Sequence, residues 1–249
     1  MKKILCLLCM MQILNITSFA QTSVQNLLTE NRKGPIGMDI TVPRFSWQLV
    51  TEKRNTMQTA YQVQVFSSGN NKIPVWNSGK IGSDQSVFIP DAGSAWESGK
   101  KYNWQVQVWD NNGQSAKSEL DFFQMALLHA SDWKAKWIEP GYVEDSVMRP
   151  SPLFRKQFST RKKILSATAY ITAHGLYEAK INGQRIGDAY FTPGWTSYKN
   201  RLQYQVYDVT GMISKGNNAI AVALGNGWYR GIIGFSNNHD VYGKDIALL

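Results

Sequence analysis

Between Tyr102 and Asp110, apolar and polar residues alternate: Tyr102, Trp104, Val106 and Val108 on one side, Asn103, Gln105 and Gln107 on the other. A period of two places one face of a strand in a core and the other in water, and no helix satisfies it. Tyr61, Val63 and Val65 alternate with Gln62 and Gln64 in the same way. Asp110-Asn111-Asn112-Gly113 closes the longer run with residues that tolerate positive φ and form tight turns. Trp47, Trp76, Val87 and Phe88 stand in shorter runs bounded by Gly, Pro or Asp. No extended helical periodicity interrupts the stretch from Val24 to Met125. The expected structure for residues 21–125 is a small antiparallel sandwich of the immunoglobulin or fibronectin type III kind.

Residues 126–152 break this rhythm. Pro140, Gly141, Pro150 and Pro152 mark an interdomain connection, with Trp133 and Trp137 placed to pin it against one or both domains. A second strand-rich block spans residues 153–249. Ala167, Ala169, Ile171 and Ala173 alternate with other positions. Asn182-Gly183 sits between Glu178–Ile181 and Gln184–Ile186, which is the strongest short-range hairpin signal because a type I′ turn needs positive φ twice. Tyr204–Val209 and Ala219–Leu224 read as further strands, with a turn at Gly216-Asn217-Asn218 between them. The block is expected to be a jelly-roll β-sandwich. Its sequence stops in the apolar run Ala247-Leu248-Leu249 with no closing element, so the chain reads as the front part of something longer. The fold class expected overall is all-β.

The first twenty residues are read as a leader. Lys2 and Lys3 precede an apolar stretch from Ile4 to Leu14, and Ser18-Phe19-Ala20 offers small residues where a signal peptidase cuts. The segment is too short to span a bilayer, and no later run is long enough, so an exported product free of the membrane is expected, periplasmic or extracellular. Cys6 and Cys9 both lie in the leader, which removes disulfides, thiol catalysis and thiolate metal sites from the mature chain. The formal charge of +9 falls to +7 without Lys2 and Lys3. Its one dense basic run is Arg161-Lys162-Lys163, with no accompanying recognition-helix, zinc or RNA-binding pattern, so nucleic acid is not an expected partner.

Few residues invite chemistry. His129, His174 and His239 lack partners at metal-ligand spacing. Asn237, Asn238 and Asp240, and likewise Asp110, Asn111 and Asn112, are clusters of hard oxygen donors that suit either calcium or a turn, and turn chemistry is the favoured reading. There is no Gly-x-Ser-x-Gly elbow and no phosphate-cradling loop. Sugar hydrolysis needs two facing carboxylates, and Glu178, Asp188, Asp208, Asp240 and Asp245 give no sign of such a pair. Two aromatic loops are more informative. Phe191-Thr192-Pro193-Gly194-Trp195-Thr196-Ser197-Tyr198 and Gly225-Asn226-Gly227-Trp228-Tyr229-Arg230-Gly231 set Trp and Tyr beside Gly and small polar residues. Flat rings suit the apolar face of a sugar, and equally they cap the end of a sandwich core; the sequence leaves both open.

Several stretches taken in order resemble the N-terminal part of bacterial α-L-rhamnosidases, glycoside hydrolase family 78. They are Pro43-Arg44-Phe45-Ser46-Trp47, Gln58–Val63, Trp76–Lys80, Tyr102–Asp110, Ser131–Ile138, Gly175-Leu176-Tyr177-Glu178, Ile181-Asn182-Gly183 with Gly187-Asp188, Pro193-Gly194-Trp195-Thr196 and Gly225–Tyr229. The resemblance implies a fibronectin-like domain followed by the family's N-terminal jelly-roll domain. It implies a parent enzyme that is an inverting hydrolase of terminal α-L-rhamnose, acting on plant polysaccharides such as rhamnogalacturonan or on glycosides. In such enzymes the catalytic acids lie in a downstream (α/α)₆ barrel, and a related module binds rhamnose with calcium. No catalytic residue is carried over to this chain.

The resulting assignment is a non-catalytic front portion that supports the hydrolase barrel and touches rhamnose-containing glycans. Trp195, Tyr198, Asn226, Trp228, Tyr229 and Asp188 are the candidate carbohydrate contacts, and Asp240 is the candidate calcium ligand. The rivals are a free-standing carbohydrate-binding module and a structural sandwich without sugar affinity.

Overall fold

The structure, a computed structural model, describes residues 22–249 apart from Ala92, Ser94 and Ser146. The leader read at residues 1–20 lies outside the described residues. Regular structure is antiparallel strand almost throughout. Among the described residues the helical elements are two short 3₁₀ turns, Ala130–Asp132 and Thr210–Met212, and the four-residue α-helix Gly227–Arg230. None of the described helices is long and apolar enough to cross a membrane.

The chain divides into two compact units. The first takes residues 22–34, 42–94 and 102–122; the second takes 35–41, 95–101 and 123–249.

In the first unit a three-stranded sheet runs in the order Ser23–Thr29, Arg44–Val50, Ile89–Pro90. A second sheet carries Pro74–Asn77, Gln58–Ser67, Lys101–Asp110 and Ser115–Lys117 side by side, with Ile81–Gly82 also paired to Gln58–Ser67. The alternation predicted from sequence is realised in the burial of the long strand. Tyr102, Trp104, Val106 and Val108 are buried, and the residues between them are half-buried. The core is aromatic: Phe45 lies 4.6 Å from Trp104, and Trp47 meets Tyr61 edge-on at 5.2 Å. Trp47 solves the problem of a buried indole N–H by donating to Gln58 Oε1 at 2.9 Å.

The turn after the long strand is built by Asp110. Its Oδ1 accepts from the backbone N–H of Asn112 and Gln114, and its Oδ2 accepts from Thr22 Oγ1. Burial pushes the Asp110 carboxyl up, but the Gln114, Thr22 and Asn112 donors outweigh it and hold the group below its ordinary value. The Asp110-Asn111-Asn112 oxygens therefore serve a turn.

The second unit centres on a four-stranded sheet ordered Leu153–Thr160, Gly216–Gly225, Leu176–Ile181, Gln184–Arg185. Two more antiparallel ladders, Thr168–Ile171 with Gln205–Asp208 and Ala173–His174 with Ala247–Leu248, complete it. Lys180 pairs with Arg185 and Ile181 with Gln184, leaving Asn182 and Gly183 as a two-residue loop at φ 51° and 84°. This is the hairpin the Asn-Gly step predicts. Ile171, Tyr177, Ile181, Val222, Leu224 and Ile246 are among the residues that fill the core beneath the sheet.

Two segments depart from the sequence reading. Gly216-Asn217-Asn218 is the start of a strand rather than a free turn, paired with Thr160, Ser159 and Phe158. Only Gly216, at φ 96°, keeps the turn geometry. The terminal apolar run is itself a paired strand: Leu248 also bridges Ile138, and Leu249 exchanges backbone hydrogen bonds with Thr172 at 2.9 and 3.0 Å. Residues 126–152 pack within the second unit, with Trp133 edge-on to Tyr204 at 5.0 Å and Trp137 stacked on His174 at 4.2 Å.

Candidate functional site

The two aromatic loops of the second unit meet in one chain of rings. Trp137 stacks on His174, and the other face of His174 stacks on Tyr229 at 4.6 Å and 8°. Tyr229 meets Tyr198 edge-on at 5.3 Å, and Tyr198 tilts onto Tyr242 at 4.9 Å. The Tyr242 hydroxyl accepts from Trp195 Nε1 at 3.1 Å. Trp195 lies parallel to Trp228, with centroids 5.8 Å apart and planes within 4°, and Trp228 meets Phe191 edge-on at 6.1 Å.

Local geometry holds the loops in place. Gly227 adopts φ +51°, and a Cβ there would fall 2.5 Å from Leu176 Cγ, so the turn that presents Trp228 requires glycine. The other loop is tied by Tyr177, whose backbone N–H donates to Thr192 O at 2.8 Å and whose hydroxyl donates to Gln205 Oε1. Gln205 Nε2 in turn donates to Pro193 O at 3.1 Å, across the cis Thr192–Pro193 peptide. Burial raises the Tyr177 hydroxyl far above its ordinary pKa, and the neighbouring Tyr207 hydroxyl adds to the rise. Tyr177 thus acts as a neutral strut.

Exposure is lowest in the middle of the chain of rings and rises at both ends, with Trp137 40% exposed. Tyr229 is buried, and Tyr198 is half-buried with its hydroxyl spent on Gly194 O at 3.0 Å. Burial raises the pKa of both hydroxyls and lowers that of His174, where Glu139 only partly compensates. The middle of the chain is therefore uncharged packing. Its far end is open: Trp195 is 53% exposed, Phe191 is 68% exposed, and Trp228 is half-buried between them.

Beside the rings lie two cation–carboxylate clusters. Arg230, 3% exposed, grips Glu144 with both Nη atoms at 2.6 Å and donates through Nε to Asn226 Oδ1 at 2.6 Å. The Arg230 hydrogen bond holds the Glu144 carboxyl below its usual range, against its own desolvation. Arg149 grips Asp240 at 2.8 and 3.1 Å, and His239 Nδ1 lies 2.6 Å from the same carboxylate. The Arg149 hydrogen bond leads in lowering the Asp240 carboxyl to about 2, with His239 helping and burial opposing.

Of the residues singled out in the sequence, the fold thus brings Trp195, Tyr198, Trp228 and Tyr229 together. Asn226 sits on the same helix but spends its Oδ1 on Arg230. Asp188 is exposed after the Asn-Gly hairpin, and none of the ion pairs or side-chain hydrogen bonds found among the described residues involves it. Both oxygens of Asp240, the candidate calcium ligand, are engaged by a guanidinium, and no group of three or more His, Cys, Asp or Glu with metal-site geometry occurs among the described residues. Sequence reading named Phe191 in its aromatic loop but not among the candidate contacts, and missed Tyr242 and His174 as members of the ring chain and Arg149, Arg230 and Glu144 as charge partners. For Phe191 the signal was its place in the same Pro-Gly-Trp loop; the ion partners lie 86 and 91 residues apart and leave no local trace.

Fold and site define a class: antiparallel β-sandwiches in tandem, immunoglobulin-like first, with surface aromatics on the second. Residues 24–129 match the Rha78A-like N-terminal immunoglobulin domain, and residues 162–249 match the α-L-rhamnosidase N-terminal domain. Together the two matches take in most of the chain, which corresponds to the N-terminal portion of α-L-rhamnosidases. It is 35% identical to an α-L-rhamnosidase of Formosa agariphila over 90% of its own length and 25% of the relative's. An α-L-rhamnosidase of Alteromonas sp. (strain LOR) is 36% identical over 80% of this chain and 23% of the relative. The solved α-L-rhamnosidase of Aspergillus terreus superposes with a TM-score of 0.79 at 33% identity, covering 92% of this chain and 26% of that one. The chain spans about a quarter of the length of these relatives.

Proposed function

We propose that this chain is the non-catalytic front portion of an exported α-L-rhamnosidase, and that the open end of its ring chain contacts rhamnose-containing glycans. The observation that carries the reading is the parallel pair Trp195 and Trp228, with Trp195 53% exposed and Trp228 half-buried, at the open end of a chain of rings whose inner member Tyr229 is buried. L-Rhamnose is a 6-deoxy sugar with a methyl group and an apolar ring face, both of which profit from an indole surface at little conformational cost. Phe191 extends that surface. Tyr198 and Tyr229 stand behind it in the same chain of rings.

The relatives' names support rhamnose as the sugar and a hydrolase domain as the partner of this portion. Residues 21–125 and 153–249 are the two sandwiches of the proposal, with 126–152 between them. Calcium has no part in it, because a carboxylate already neutralised by Arg149 gains little from a second cation. Isothermal titration with L-rhamnose tests the proposal. Saturable heat in the wild type that disappears in Trp195→Ala and in Trp228→Ala supports it; heat unchanged in both variants removes the site.

A further inference from the structure

Asn226 and Arg230, tied together at the single helical turn Gly227–Arg230, line a cleft whose lining does not include Trp228. Residues four apart share a helix flank, and here the Arg230 Nε to Asn226 Oδ1 hydrogen bond at 2.6 Å joins them. Trp228 belongs to the exposed ring pair. The cleft has a volume of ≈ 470 Å³. Small-ligand sites occupy roughly 300–1,000 Å³, so the volume suits one sugar residue with water to spare.

The lining has the amphipathic character of a sugar site. Arg149, Asn237 and His239 supply polar groups, and the exposed Val147, Met148 and Ile232 supply apolar ones. Among the described residues, no hydrogen bond uses the Asn237 carboxamide, and Arg149 spends only one N–H of each Nη on Asp240, leaving its Nε–H free to donate. The two guanidiniums are each matched by a carboxylate, Asp240 for Arg149 and Glu144 for Arg230. Such paired charges leave no net field to draw in an anion, yet they hold donors rigidly, which favours a neutral hydroxylated ligand.

We propose that this cleft is a second saccharide subsite, holding the neutral sugar residue next to the rhamnose at Trp195 and Trp228. The proposal rests on reading that ring pair as the rhamnose contact. A helix with its side chains is about 10–12 Å across, about the length of a disaccharide, so two linked residues are enough to engage the ring pair and the cleft together. Binding both residues makes the second contact intramolecular, and affinity rises with glycan length.

The test compares L-rhamnose with the disaccharide rhamnosyl-(1→6)-glucose on the full chain by isothermal titration. The disaccharide is expected to bind about tenfold more tightly, the worth of one or two net hydrogen bonds. Asn237→Gly, which keeps the φ of 54° accessible while removing the carboxamide, and Ile232→Ala are each expected to erase that gain and leave the affinity for L-rhamnose unchanged. Equal affinity for the two sugars, or a gain that survives both variants, overturns the subsite while leaving the ring-pair reading intact. Failure of both sugars to bind overturns the two together.

Discussion

Arg149 clasps Asp240 across 91 residues of sequence, Nη1 to Oδ1 at 2.8 Å and Nη2 to Oδ2 at 3.1 Å. The pairing fastens the segment before the Leu153–Thr160 strand to the loop that follows the Gly227–Arg230 helix. It has a consequence for acid stability. An aspartate whose carboxyl falls from 3.8 to about 2 on folding binds fewer protons folded than unfolded. Its contribution is complete above pH 3.8 and is lost as the pH falls through about 2. Thermal denaturation followed between pH 5 and pH 2 should therefore show Tm falling more steeply in the wild type than in Asp240→Asn, which starts lower and has less to lose. Parallel curves for the two proteins contradict the pairing.

Arg230 and Glu144 make a sharper case, because the guanidinium is buried. Removing the carboxylate leaves an uncompensated charge in the core of the second unit, and breaking buried pairs costs about 3–5 kcal/mol in general. Glu144 retains 24% side-chain exposure, so Glu144→Ala is expected below that range, at about 2–3 kcal/mol. Urea denaturation measures it through the shift in midpoint at constant m. A midpoint within 0.5 kcal/mol equivalents of wild type, roughly the effect of an ordinary surface substitution, refutes the structural role.

Gly175 permits the close approach of two segments that frame the ring chain. It sits at φ +111°, and a Cβ there would lie 2.3 Å from Gly225 O, a backbone atom with nowhere to go. Gly175→Ala should cost about 2–4 kcal/mol through combined strain and steric displacement. Gly211→Ala, where nothing lies within 4 Å of the added methyl, is the matched control and should stay within about 0.5 kcal/mol. The two variants unfolding at the same temperature would mean that the backbone does not pass this close.

Much of the architecture was legible because it is local. The alternation of Tyr102–Asp110 needs only the period of a strand, and Asn182-Gly183 needs only the φ preferences of two residues. The site was half legible. Trp195 and Trp228 were recognisable as loop aromatics out of register with any strand, but their parallel arrangement depends on Tyr242, which is 47 residues from Trp195. Tyr229 looked like its neighbour Trp228 in sequence, yet a ring from His174 covers one of its faces and turns it inward. Gly216-Asn217-Asn218 has turn chemistry, and the partner strand Leu153–Thr160 overrode it. Asp240 had the makings of a metal ligand until a distant arginine took both oxygens. In each instance the missing term is a tertiary partner that no sequence window contains.

Indole N–H resonances offer the most direct measurement of the central claim. Two-dimensional NMR of the full chain titrated with L-rhamnose separates the surface indoles from the buried ones of Trp47 and Trp104. The account predicts that the Trp195 and Trp228 cross-peaks shift together and saturate, while those of Trp47 and Trp104 stay fixed. Saturation at the buried indoles alone, or no movement of any indole at high sugar concentration, contradicts it.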